Sequence, residues 1–105
     1  MQNLLLAEKG FPQDILQDIR KIESTLRRHG AAKIILYGSL ARGDYRADSD
    51  IDICVAGLPA KEFFRALAEC LMNTQRRMSI LDLHDVRGYL RERIMEEGKV
   101  LYERE

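Results

Sequence analysis

The pattern of apolar and polar positions changes period several times along the chain, and each change predicts a new secondary-structure element. Residues 12–29 form the first predicted helix, with Pro12 in its first turn and Gly30 as its C-terminal stop. Its apolar residues recur at spacings of four, three and four, which is the helical period: Ile15, Ile19, Ile22 and Leu26. One face of this helix is therefore expected to pack against a core.

Shorter apolar runs downstream predict strands, which further amphipathic helices separate. The predicted strands cover residues 33–37, 50–56, 78–83 and, at a sheet edge, 100–102. The predicted helices between them cover residues 39–44, 60–74 and 86–97. Phe63 and Phe64 are expected to be core residues. This order predicts one α/β (α+β) domain over residues 1–105, with a small mixed β-sheet flanked by helices.

The segment between the first two strands carries the candidate chemistry. The first strand ends at Gly38-Ser39, where glycine lets the backbone approach a ligand and Ser39 would open and cap the next helix. The N–H groups of a helix N-terminus favour an anion such as a triphosphate. In the next strand, period-two alternation places Asp50 and Asp52 on one face. Their charges repel by about 2 kcal/mol at an effective dielectric near 20, so a divalent cation such as Mg²⁺ would stabilise the pair.

These residues resemble the signature of the polymerase-beta-like nucleotidyltransferase superfamily and, in their fuller form, its minimal nucleotidyltransferase (MNT) branch. The positions that fit this signature are Gly38, Ser39, Ala41, Arg42, Gly43, Ser49, Asp50 and Asp52. The resemblance implies the minimal nucleotidyltransferase fold, ATP as substrate and two Mg²⁺ ions. It also implies that Gly38 and Ser39 hold the nucleotide phosphates and that Asp50 and Asp52 bind metal and serve catalysis.

The family places a third carboxylate on the next core strand, to help position the acceptor and its metal. The resemblance therefore assigns this catalytic and metal-binding role to Asp82, which lies between two apolar residues of the strand predicted at 78–83. Asp85 is the competing residue, but its position before Val86 is typical of a helix N-cap. His84 lies past the strand end and is expected to be a surface residue.

Two further residues are assigned to nucleotide binding with alternatives left open. Arg42 either contacts the triphosphate or holds the loop through a carboxylate such as Asp44 or Asp48. Ser49 either caps a local turn or orients the aspartate pair. The sequence does not separate these roles.

The balance of charges and the positions of the cysteines limit which classes of function are compatible with the sequence. The 17 basic and 17 acidic residues balance to a formal net charge of zero, which disfavours nucleic acid as a partner. The pairs Arg27-Arg28 and Arg76-Arg77 lie near ends of predicted helices, where they would interact with the helix dipole. Cys54 and Cys70 lie in apolar stretches and are expected to be reduced core residues of a cytoplasmic protein.

No segment suggests export or a membrane span. The apolar run at residues 4–7 is too short for a signal peptide. No stretch approaches the length of a membrane-spanning helix. We therefore expect a cytoplasmic protein without a membrane partner, and the sequence leaves open whether it forms a homo-oligomer.

The resemblance leads to functions of different classes. The first is an enzyme that transfers AMP from ATP, with Mg²⁺, to a hydroxyl of a partner protein. MNT proteins act as antitoxins of HEPN-domain toxins, which makes a tyrosine of such a toxin the expected acceptor. The second is a nucleotide-binding antitoxin that acts by complex formation alone. The third is nucleotidyl transfer to a small molecule, for which 105 residues leave little room for a dedicated pocket.

Overall fold

The computed structural model describes residues 10–104 and contains four helices, four strands and one short 3₁₀ turn within them. The helices are α1 (Gln13–Arg28), α2 (Gly38–Arg42), α3 (Ala60–Asn73) and α4 (Gly88–Glu97). The strands are β1 (Lys33–Tyr37), β2 (Ile51–Ala56), β3 (Met78–Asp82) and β4 (Lys99–Glu103). The 3₁₀ turn covers Leu83–Asp85. The predicted mixed architecture is confirmed.

The four strands form one sheet in the order β3-β2-β1-β4. Strand β1 is antiparallel to β2 and β4, whereas β2 and β3 are parallel. The register of this parallel pair places Asp52 beside Ser79 and Val55 beside Asp82. Because side chains alternate between the faces of a strand, this register decides which polar residues share a face with Asp52.

One face of the sheet packs against α1 and α3 and forms the main core. Its fully buried strand residues come from β1 and β2: Ile34, Leu36, Ile51, Ile53 and Val55. The apolar face of α1 lies against them with four residues at 0 % exposure: Ile15, Ile19, Ile22 and Leu26. The helical period therefore identified the buried face of α1.

The opposite face of the sheet carries a smaller apolar cluster together with Asp52. The buried members of this cluster are Ile35, Cys54, Val86 and Ile94. Cys54 and Cys70 are both buried free thiols, as predicted. Burial raises the pKa of each thiol to about 11. Neither thiol is therefore ionised near neutral pH, and both act as small apolar residues.

Two local predictions about the last helix are wrong. Helix α4 begins at Gly88 because the chain first forms the 3₁₀ turn, in which His84 N donates to Asp82 Oδ1 at 2.9 Å. Asp85 lies inside this turn and does not cap α4, whose N-cap position is held by Arg87 without a side-chain cap hydrogen bond. The capping carboxylate is Asp82, at the start of the turn.

The two phenylalanines of α3 have different environments. Phe63 is partly buried and packs against the main core, but Phe64 is 75 % exposed. The prediction that both are core residues is wrong for Phe64. Consecutive residues on a helix point about 100° apart, and only Phe63 is directed toward the core here.

No helix within residues 10–104 is long and apolar enough to cross a bilayer. The apolar run at residues 4–7 lies outside the described residues.

Candidate functional site

Gly38 and Asp52 approach each other closely where β1 ends. Tyr37 pairs with Asp52 in the register of β1 and β2, and α2 begins at the following residue. Gly38 has a φ of +76°, and a Cβ at this position would overlap the Asp52 carboxylate. Only glycine satisfies both requirements without displacing the carboxylate. The predicted turn and the predicted aspartate are therefore in contact.

Ser39 lies in the first turn of α2, next to this contact. The helix begins at Gly38, and Tyr37 at the N-cap position makes no side-chain cap hydrogen bond. The expected N-cap role of Ser39 is therefore wrong. The first N–H groups of a helix have no acceptor within the helix, so this turn places backbone donors beside Asp52.

Asp50 and Asp52 form a like-charged pair at the start of β2. Burial raises the pKa of Asp52, the charge of Asp50 raises it further, and Arg42 lowers it. Asp50 is 46 % exposed, and its Oδ1 lies 3.2 Å from Arg77 Nε. The pair is an oxygen donor set that a cation would stabilise.

Arg42 connects α2 to α4 near this pair. Its Nε lies 3.3 Å from Asp44 Oδ2, and its Nη1 lies 3.4 Å from Glu97 Oε1. The hydrogen bond to Asp44 is the main reason that the pKa of Arg42 is raised. Of the two carboxylates considered from the sequence, Asp44 is the partner. Arg42 is thus an exposed cation that also acts electrostatically on Asp52.

Ser49 closes a turn in the loop that leads into β2. Its Oγ accepts a hydrogen bond from Arg46 N at 2.7 Å, and its own N–H donates to Arg46 O at 3.0 Å. Its carbonyl oxygen accepts from Arg76 Nη1 at 3.0 Å, and Ala47 O accepts from the same atom at 2.5 Å. The Ser49 hydroxyl therefore shapes the loop beside Asp50.

Arg76 is itself held in place by α1. The backbone N–H groups of Gln75 and Arg76 donate to Asp18 Oδ2 at 3.1 and 3.0 Å. Arg76 Nη2 lies 3.3 Å from Asp14 Oδ2. Asp18 is only 6 % exposed, and the side chain of Arg76 is 14 % exposed. This network fixes the loop before β2, and hence Asp50, relative to the main core.

The prediction that Arg76 and Arg77 interact with a helix dipole is wrong. Helix α3 ends at Asn73, and the two side chains contact the loop before β2 and Asp50. Arg27 and Arg28 do lie in the last turn of α1, as expected. The sequence shows two similar basic pairs, and only the long-range contacts distinguish them.

Asp82 lies apart from the aspartate pair in the register of the sheet, and its assignment as the third carboxylate stays a prediction. It lies beside Val55 in the register, and Val55 belongs to the main core on the face opposite Asp52. Asp82 lines a groove along β3 together with Phe63 and Phe64 of α3 and with Leu81 and Val86 of the smaller apolar cluster. Burial and, next, the charge of Asp82 raise the pKa of Cys54 in that cluster. Asp82 is absent from the charges that shift the pKa of Asp52. The exposed His84 follows it in the 3₁₀ turn and lies outside the site.

The β3 residue that does share the face of Asp52 is Ser79, which sequence reasoning missed. It is the register partner of Asp52, and its side chain is within hydrogen-bonding reach of the Tyr37 hydroxyl. Burial and the charge of Asp52 raise the pKa of Tyr37 to about 12. Tyr37, Asp52 and Ser79 therefore form one row across three strands. A polar residue in an otherwise apolar run was the only signal of Ser79 in the sequence.

The residues present fit one cation combined with a polyphosphate. Within residues 10–104, no three His, Cys, Asp or Glu side chains lie close enough together to hold a metal ion. Mg²⁺ is commonly bound through one or two carboxylates, with phosphate oxygens and water completing its shell. Asp50 and Asp52 supply two carboxylates, and the Gly38–Ser39 turn lies where a phosphate would complete the shell.

The match to known proteins agrees with this arrangement. The polymerase beta nucleotidyltransferase family matches residues 20–105, so the chain belongs to this family. A Methanocaldococcus jannaschii protein named as a protein adenylyltransferase, MJ0141, is 38 % identical over 42 residues. That alignment covers 40 % of this chain and 42 % of the relative, so less than half of the relative's length is spanned.

Two solved structures share the fold over most of the chain. A structure described as a minimal nucleotidyltransferase is 31 % identical, with a TM-score of 0.61, over 83 % of this chain and 95 % of its own. A chain of a toxin–antitoxin crystal structure with AMP-PNP is 27 % identical, with a TM-score of 0.61. The match covers 80 % of this chain and 72 % of that one.

Proposed function

We propose that this protein transfers AMP from ATP, with Mg²⁺, to a hydroxyl of a partner protein. The observation that carries the proposal is the contact between the Gly38–Ser39 turn and Asp52, with the charge of Asp50 close enough to act on Asp52. Membership of the nucleotidyltransferase family gives this contact its chemical meaning.

In this proposal the nucleotide binds between the turn and the carboxylates. Backbone N–H groups at Gly38 and Ser39 hold phosphate oxygens, and Asp50 and Asp52 hold the cation. The cation, when bound, neutralises the triphosphate and stabilises the pyrophosphate leaving group. Arg42 is close enough to Asp52 to affect its pKa and could add a positive charge next to the phosphates. The protein contributes positioning and electrostatics to the reaction.

The transfer joins the acceptor oxygen to the α-phosphorus of ATP. The bond between the α-phosphorus and the oxygen bridging to the β-phosphate breaks, and pyrophosphate leaves. The acceptor hydroxyl loses its proton to solvent or to a base of the partner. Asp82 of β3 is the third carboxylate of this proposal, and it would help to position the acceptor.

We propose a protein hydroxyl, most specifically a tyrosine of a HEPN-domain toxin, as the acceptor. The relative from Methanocaldococcus jannaschii is named as a protein adenylyltransferase, and a similar structure is a toxin–antitoxin complex with an ATP analogue. The balanced charge of the chain also supports a protein acceptor over a nucleic acid.

A second function, neutralisation of a toxin by complex formation alone, is favoured by one specific observation. Within residues 10–104, no third acidic side chain lies close enough to Asp50 and Asp52 to hold a metal ion with them. Nucleotide binding would then stabilise the complex without a chemical step.

Intact-mass measurement of the partner separates the two functions. The purified HEPN partner is incubated with this protein, ATP and Mg²⁺, and we expect one or more added AMP units on the partner. The Asp50→Asn/Asp52→Asn variant serves as the control and should add none. An unmodified partner that both forms of the protein neutralise equally would overturn AMP transfer in favour of complex formation.

A further inference from the structure

We propose that Arg77 is a nucleotide-binding residue, whose guanidinium passes from Asp50 to the triphosphate when a divalent cation binds the Asp50 carboxylate. The inference rests on the proposed nucleotide site. It adds to that site a residue that lies outside the signature segment of residues 38–52.

The backbone of Arg77 is fixed beside the aspartate pair. Ile51 lies between Asp50 and Asp52 in the chain, and its N–H donates to Arg77 O at 2.9 Å. The residue after Arg77 is Met78, which begins β3 and is the register partner of Ile51. The sheet therefore sets where Arg77 stands relative to the two carboxylates.

The side chain of Arg77, by contrast, is held by a single weak contact. It is 81 % exposed, and within residues 10–104 the side chain that pairs with it is Asp50, with Nε 3.2 Å from Oδ1. Arg76 is only 14 % exposed and donates to the carbonyl oxygens of Ala47 and Ser49. Exposed ion pairs are weak, so a cation that binds the Asp50 carboxylate can displace the Arg77 guanidinium.

The charge balance of the site gives the displaced guanidinium a new partner. The two aspartates neutralise a divalent cation, so the triphosphate brings negative charge that the cation no longer balances. Arg42 acts on Asp52 but is already engaged by two carboxylates, Asp44 and Glu97. Arg77 instead loses its carboxylate to the cation, and a guanidinium binds phosphate oxygens through two parallel hydrogen bonds.

Opposite changes in two affinities test this inference. Arg77→Gln removes both the competitor of the cation and the contact to the nucleotide. Without nucleotide, Mn²⁺ should bind about two- to fivefold more tightly, because a weak ion pair no longer competes for Asp50. The electron paramagnetic resonance signal of free Mn²⁺ measures this affinity. The calorimetric affinity for ATP at saturating Mg²⁺ should fall about tenfold, because a hydrogen bond between charged groups is lost.

Two matched variants separate the guanidinium from the loss of a charge. Arg65→Gln removes the same charge from another exposed pair, in which Arg65 is 77 % exposed and lies 3.8 Å from Glu62. Both affinities should change by less than about twofold in this variant, since solvent and salt screen the charge. Arg77→Lys keeps the charge without the planar fork, and its ATP affinity should lie between those of the wild type and Arg77→Gln.

The outcomes separate the inference from the proposed function. An ATP affinity that is unchanged in Arg77→Gln, or that falls equally in Arg65→Gln, would overturn the role of Arg77. Unchanged or weaker Mn²⁺ binding by Arg77→Gln would also overturn it, since Arg77 would then not compete with the cation. Failure of the wild-type protein to bind ATP with Mg²⁺ would instead overturn the proposed function itself.

Discussion

Asp18 and Asp52 are both aspartates beside the core, but Asp18 lies among hydrogen-bond donors and Asp52 lies next to a second carboxylate. Asp18 is 6 % exposed and accepts two backbone hydrogen bonds, which anchor Gln75 and Arg76. Asp52 is half-buried next to another carboxylate and has its pKa raised by burial and by Asp50. A carboxylate that accepts hydrogen bonds from the protein stabilises the fold, whereas a carboxylate next to another negative charge is available to a cation. The comparison separates a structural carboxylate from a functional one.

The largest effect is expected from filling the space in which Gly38 meets Asp52. Gly38→Ala forces a side chain into a left-handed conformation, costing about 1–2 kcal/mol, and its Cβ would displace the carboxylate, adding about 1–3 kcal/mol. We expect a loss of stability and of ATP binding. Gly43→Ala is a matched control, because Gly43 has a φ of +92° but nothing within 4 Å of an added Cβ. Equal losses in both variants, measured by urea denaturation and ATP titration, would remove the special role of the Gly38–Asp52 contact.

The comparison itself predicts opposite results for two alanine substitutions. Asp18→Ala leaves two backbone donors without their acceptor and should destabilise the fold by about 1–3 kcal/mol, with ATP affinity falling less than stability. Asp52→Ala removes a repulsive charge and should leave the free energy of unfolding unchanged or higher, while abolishing ATP binding. Denaturation midpoints and calorimetric affinities for both variants test this. The distinction fails if Asp52→Ala destabilises the protein as much as Asp18→Ala.

Many of the helices and strands could be predicted because they follow the local pattern of apolar residues and turn residues. The bounds of β1 were predicted without error, and those of β2 and α3 to within one residue, since runs of apolar residues and turn residues mark them. Contact between Gly38 and Asp52 followed from the motif. The place of Ser79 beside Asp52 could not be predicted, because it depends on the register of a parallel strand pair. That register depends on packing between elements distant in sequence.

A smaller effect is expected from loosening the loop that carries Asp50. Arg76→Gln removes charge-assisted hydrogen bonds to Ala47 O and Ser49 O and should cost about 1–2 kcal/mol of stability, together with weaker ATP binding. Arg77→Gln is the matched neighbour: its pair with Asp50 is exposed and is worth about 0–1 kcal/mol. Equal stabilities for the two variants in thermal denaturation would show that Arg76 does not hold the loop.

The smallest effect concerns the pH dependence of a contact far from the site. His29 lies between Glu62 and Glu69 of α3, with Nδ1 2.7 Å and Nε2 3.0 Å from their carboxylates. Hydrogen bonds to Glu69 and Glu62 raise the pKa of His29 above 6.5. The hydrogen bond from His29 lowers the pKa of Glu62 below 4.5, and hydrogen bonds from Arg28 and then His29 lower the pKa of Glu69 below 4.5. The stabilisation from His29 is thus full below pH 6.5 and is lost as pH rises through its higher folded-state pKa.

At the acid end, the stabilisation from the two glutamates is full above pH 4.5 and is lost as pH falls through their lowered pKa values. We expect the melting temperature to decrease slightly as pH rises from about 6 to about 8.5. His29→Gln should flatten this decrease and leave ATP binding unchanged. A wild-type profile with no decrease over that interval would contradict the ion pairs of His29.

The most direct test of the central claim is calorimetric titration of ATP into the wild-type protein and into Asp50→Asn/Asp52→Asn, each with and without Mg²⁺. The wild type should bind ATP in a Mg²⁺-dependent way. The double variant should remain folded, with equal or greater stability, and lose at least about 100-fold in affinity. Undiminished Mg²⁺-dependent ATP binding by the double variant would contradict the assignment of Asp50 and Asp52 as the cation ligands of a nucleotide site.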